Sequence, residues 1–125
     1  MRRAALLACA LLAALPALAQ TPDSSALGLV FYTGTQFPAR YRGGAFVALH
    51  GSWNRQEGTG YKLAFVPFDG DRPSGGYEDF LTGFLLNPAG PSAFARPVGV
   101  LVLPDGSLLM CEDGNGRIYR ISYRG

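Results

Sequence analysis

From residue 27 onward, apolar residues fall in short runs cut by Gly, Pro, Asn and Asp, the pattern of strands joined by turns. Strands are expected at Leu29–Thr33, Ala45–His50, Tyr61–Phe68, Glu78–Phe84, Pro97–Leu103, Ser107–Glu112 and Arg117–Tyr123. Arg42-Gly43-Gly44, Asp69-Gly70-Asp71, Pro104-Asp105-Gly106 and Asp113-Gly114-Asn115-Gly116 supply the turns. Helical periodicity is missing throughout this part, so the chain reads as all-β. Two of the runs, Leu63 to Val66 and Val98 to Leu103, are apolar at consecutive positions. Such strands are buried on both faces, which calls for sheets stacked against sheets. A weak repeat of about 60 residues relates Ala45–Phe65 to Ser107–Ile121. Leu29 to Phe84 then makes one four-stranded antiparallel sheet, and Pro97 to Tyr123 makes three strands of another.

The first residues follow a different logic. Arg2 and Arg3 precede the apolar run Ala4–Leu15, then Pro16 and Ala17-Leu18-Ala19, the layout of a secretory signal peptide over residues 1–19. A short linker, residues 20–26, is expected to follow it. The run is short for a membrane span, so a periplasmic or secreted chain without a membrane anchor is expected. Those two arginines also account for the net charge of +2, leaving nine basic and nine acidic residues. A neutral chain has no basic field to draw nucleic acid. Past the leader only Cys111 remains, within an apolar stretch; a buried thiol is expected there, with no internal disulfide and no metal site.

The densest chemistry is His50-Gly51-Ser52-Trp53-Asn54-Arg55, at the end of an expected strand and holding the chain's one His and one Trp. An indole can cover a flat ring, while Arg and Asn bond carboxylates and carbonyls in fixed directions. An ordinary packed loop would use the same residue types. Asp113-Gly114-Asn115-Gly116 resembles part of a calcium loop but lacks the later bidentate Glu, so it reads as a hairpin turn. Glu78-Asp79 reads as the solvated start of an edge strand.

Gly28-Leu29-Val30-Phe31-Tyr32-Thr33-Gly34, Phe37-Pro38, Tyr41-Arg42-Gly43, the His50–Arg55 run, Tyr61-Lys62, Glu78 to Phe84, Arg96 to Val100 and Pro104-Asp105-Gly106 together resemble the C-terminal part of the sorbosone/glucose dehydrogenase family. Members of that family are exported six-bladed β-propellers that oxidise sugars with pyrroloquinoline quinone (PQQ), usually with calcium. The resemblance implies a fragment of such a propeller over residues 27–125: one four-stranded blade plus three strands of the next. It implies cofactor-binding roles for His50, Ser52, Trp53, Asn54, Arg55 and Arg96. PQQ carries three carboxylates and an ortho-quinone, which suits guanidinium, N–H and O–H donors. The family's catalytic His and calcium loop match nothing in this chain. The expectation is therefore a truncated sugar dehydrogenase, inactive alone. It would meet its sugar only when completed by other blades, from a partner chain or through self-association. A split enzyme and an exported binding module without chemistry are the alternatives.

Overall fold

A computed structural model describes residues 24–52, 56–90 and 92–125. The expected leader, and with it most of the linker, lies outside the described residues. The strands are β1 (Ser24–Phe31), β2 (Ala45–Ser52), β3 (Lys62–Val66), β4 (Phe68–Asp69), β5 (Arg72–Pro73), β6 (Glu78–Leu81), β7 (Leu85–Asn87), β8 (Ser92–Ala93), β9 (Pro97–Val102), β10 (Leu108–Glu112) and β11 (Arg117–Ile121). Among the described residues the one helical piece is a 3-10 turn at Ala39–Tyr41. None of their helices is long and apolar enough to cross a membrane.

Two antiparallel sheets dominate, ordered β1-β2-β3-β6 and β11-β10-β9, as the sequence pattern requires. Their limits differ most from expectation in the first and the outer strand of the four-stranded sheet. The first strand begins at Ser24, inside the stretch expected to be a linker. There Ser24 pairs with Ser52 and Ala26 with Leu49 across a bulged register. Pairing with β2 satisfies backbone groups that would otherwise be left at a sheet edge, a gain that no apolar side chain advertises. The outer strand stops at Leu81, short of Phe84, because Gly83 takes a φ of 97° and turns the chain out of the ladder. Beyond it Leu85–Asn87 pairs with Ser92–Ala93 in a separate small hairpin, as Phe68–Asp69 does with Arg72–Pro73.

The sheets stack through the faces that carry Val30, Phe46 and Phe65 on one side and Val100, Val102, Leu108 and Ile121 on the other. Contact is close enough to exclude a side chain at Gly28, where a Cβ would lie 2.6 Å from the Val98 carbonyl oxygen. Phe46 and Leu108, set at equivalent positions by the sequence repeat, belong to one core cluster across this layer. Behind β2 and β3 a second layer holds Val47, Leu49, Ala64 and Val66 with Phe68 and Tyr77 packed on them. The far face of the three-stranded sheet carries Leu101 and Ile118, both exposed. Cys111 lies on that face too and is exposed, correcting the expected buried thiol. Strand alternation decides this: Leu108, Met110 and Glu112 turn inward, and residue 111 turns out.

Polar contacts lock one end of the stack. The Tyr32 hydroxyl donates to the Gly106 carbonyl at 2.7 Å and accepts the Phe37 N–H at 2.9 Å. Next to it, the Asp105 carboxylate accepts the Ser107 hydroxyl and N–H, and pairs with the Arg120 guanidinium. These donors, the Ser107 hydroxyl foremost, lower the Asp105 pKa to about 2. Because the folded-state value is depressed, the stabilisation is complete above the ordinary value of 3.8 and fades as pH falls through about 2. Asp105→Asn is expected to lower the melting temperature at pH 7, and the gap from the parent chain should close on acidification across that window. A gap that persists unchanged at the acid end would refute the assignment.

Candidate functional site

At the opposite end of the stack the chain brings together residues far apart in sequence. His50 is near the end of β2, Arg96 immediately precedes β9, and Asp113 begins the turn between β10 and β11. The His50 Nε2 lies 2.9 Å from the Asp113 carboxylate, and its Nδ1 lies 3.5 Å from an Arg96 terminal nitrogen. A guanidinium can only donate, so Nδ1 is the acceptor and the ring proton sits on Nε2, facing Asp113. That bond from His50, helped by the charge of Arg96, holds the Asp113 carboxyl below the usual range against the opposing effect of its partial burial. The imidazole is mostly covered, with 14% of its side chain exposed, while Asp113 is open to solvent.

Arg96 retains unused capacity. Its contact with His50 is long and weak by hydrogen-bond standards. Its Nε is buried and has no hydrogen-bond partner among the described residues. A buried donor left unpaired is unfavourable by about 1–3 kcal/mol, so the position calls for an acceptor that the described residues do not supply. An anion is the matching chemistry, since charge-assisted bonds to guanidinium are the strong ones. Among the described residues, no group of three or more His, Cys, Asp or Glu side chains is arranged to hold a metal ion.

The other expected site residues divide in two. Ser52 is buried and faces its own loop: its hydroxyl accepts the Thr59 N–H at 3.0 Å, and its carbonyl accepts the Tyr61 hydroxyl at 3.2 Å. It does not join the His50–Arg96 pair. Trp53, Asn54 and Arg55 lie outside the described residues. Sequence reasoning missed Asp113, which it took for turn chemistry alone, and Glu112, a buried carboxylate just before it. Asp113-Gly114-Asn115-Gly116 does form the expected turn, closing between Glu112 and Arg117.

With this geometry and fold, the chain matches the TrAA12-like family over residues 6–124, and it belongs to that family. It is 40% identical over 111 residues to an uncharacterized protein of Borreliella burgdorferi, covering 87% of this chain and 29% of that one. It is 31% identical over 124 residues to a pyrroloquinoline quinone-dependent pyranose dehydrogenase of Coprinopsis cinerea, covering 85% of this chain and 16% of that protein. Two solved structures share the fold. An iodide structure of the Trichoderma reesei Carbohydrate-Active Enzymes Family AA12 protein superposes with a TM-score of 0.57 at 24% identity, over 63% of this chain and 21% of that one. The holo form of the Coprinopsis cinerea pyranose dehydrogenase PQQ domain superposes with a TM-score of 0.52 at 30% identity, over 64% and 24%. The two sheets are thus blades of the β-propeller type, in a chain related to PQQ-dependent dehydrogenase domains. This chain spans less than a third of the length of each relative.

Proposed function

We propose that this chain forms one rim of a PQQ pocket in an exported sugar dehydrogenase of the sorbosone/glucose type. The observation that carries the reading is the buried Nε of Arg96, without a partner among the described residues, beside an oriented imidazole. When bound, PQQ would supply a quinone able to accept two electrons from a sugar; this chain's residues would bind and orient it. Arg96 would take one of its carboxylates in a charge-assisted bond. His50, its proton kept on Nε2 by Asp113, would hold the guanidinium in place from the Nδ1 side. Trp53, Asn54 and Arg55, which follow β2 in sequence, would add an aromatic cover and further donors. Calcium enters this reading only through other parts of a complete propeller. Those parts, from a second chain or more of the same protein, would stack on the outward faces bearing Leu29 and Phe31 or Leu101 and Ile118.

Equilibrium titration of the full chain with PQQ tests this. Saturable binding is expected, strengthening at protein concentrations where sedimentation shows the chain associating. Arg96→Ala should weaken it by about tenfold or more, the loss of one charge-assisted bond. Binding unaffected by Arg96→Ala, or no binding at any concentration, would falsify the reading.

A further inference from the structure

We propose that Glu112 is the positioning residue of this site: its buried carboxylate ties together the two chain segments that carry Arg96 and Asp113, and so fixes the aim of the guanidinium and the single tautomer of His50. The inference rests on the reading of Arg96 given above. Glu112 is 4% exposed. One of its carboxylate oxygens accepts the backbone N–H groups of Asn115 and Arg117 at 3.1 and 3.0 Å. The other accepts Asn115 again at 3.0 Å and the Arg96 N–H at 3.4 Å. Burial alone would raise its pKa, yet the backbone donors of Arg117, Asn115, Arg96 and Gly114 more than offset this, and the group stays a carboxylate.

Three of these four bonds come from the backbone of the hairpin turn itself and offset most of the cost of burying the charge. The fourth reaches outside the hairpin, to Arg96. Two further links brace the same junction: the Asp113 N–H donates to the Arg96 carbonyl at 3.3 Å, and the Asn115 side-chain amide donates to the Phe94 carbonyl at 2.7 Å. The stem of Arg96 then runs across Gly114, where a Cβ would lie 3.4 Å from Arg96 Cγ and 3.1 Å from a Glu112 oxygen. Both partners of His50 therefore hang from backbone that Glu112 holds.

The test uses the full chain, whose one histidine makes its ring nitrogens unambiguous when histidine is labelled with nitrogen-15. At about pH 8, where an unperturbed imidazole is neutral, the parent chain should show one protonated and one bare nitrogen. Glu112→Gln keeps the size but turns an amide N–H₂ toward backbone N–H donors. The two nitrogen signals should then move toward each other as the tautomers average. In parallel, PQQ affinity should fall about tenfold in Glu112→Gln, but by less than about twofold when Arg96→Ala is already present, because the two act through one contact. A general loosening of the fold would lower affinity equally in both backgrounds. Unchanged ring nitrogens, or equal losses in the two backgrounds, overturn the proposal. Should Glu112→Gln fail to fold, Gly114→Ala retains the carboxylate and presses a methyl group on the Arg96 stem; it should shift the His50 signals, and silence there overturns the proposal too. If the parent chain binds no PQQ, the cofactor reading falls while the ring nitrogens still decide the role of Glu112.

Discussion

Truncating Phe46 to alanine is expected to lower the free energy of unfolding by about 3–5 kcal/mol, the range for deleting a large buried aromatic. Its side chain is fully buried at the layer between the sheets. Around it the Phe80, Phe65, Tyr32, Tyr41 and Phe37 rings have centroids 4.4, 5.2, 5.5, 5.8 and 6.2 Å away. Five aromatic neighbours from four different parts of the chain cannot all close on the gap that alanine leaves, so the cavity term should add to the lost transfer energy. Whole domains are stable by only about 5–15 kcal/mol, and this single change could remove much of that margin. Urea unfolding followed by circular dichroism reads the loss. A change below about 1 kcal/mol would mean that Phe46 does not anchor the stack.

Tyr32→Phe should cost about 2–4 kcal/mol although it removes one oxygen and leaves the ring in place. That oxygen bonds two buried backbone groups at once, the Phe37 N–H and the Gly106 carbonyl, in segments 69 residues apart. Without it both are stranded where water has little access, and each unsatisfied group is unfavourable by about 1–3 kcal/mol. The asymmetry of the prediction is its use: a phenylalanine is more apolar than a tyrosine, so burial alone would make the variant neutral or more stable. The same urea experiment distinguishes them by sign.

What the sequence made legible was the part decided by side-chain alternation. Leu63 to Val66 is apolar at consecutive positions and is buried on both faces, whereas Val98 to Leu103, expected to be buried in the same way, leaves Leu101 exposed on the outward face of its sheet. Ser24 to Ala26, by contrast, carries no apolar signal; it is a strand because β2 offers it partners. Phe84 reads like the continuation of a strand, yet Gly83 bends the chain away before it. Of the site, His50 and Arg96 could be named from a resemblance, but their meeting with Asp113 could not, since a contact across 63 residues leaves no local trace. Glu112 could have been found: Leu108, Met110 and Glu112 share one face at period two, and the first two plainly point inward. A carboxylate continuing a buried stripe signals a charge with partners to hold.

His50 belongs to one sheet, whereas Arg96 and Asp113 flank strands of the other. Occupancy of the site and cohesion of the two sheets are therefore a single equilibrium viewed from two ends. A ligand that spans imidazole and guanidinium, present at about 100 times its dissociation constant, would add about 2.7 kcal/mol to whatever keeps the sheets together. Read in reverse, the apolar layer around Phe46 sets how tightly anything can be held at the rim, since parting the sheets takes the pocket apart with them.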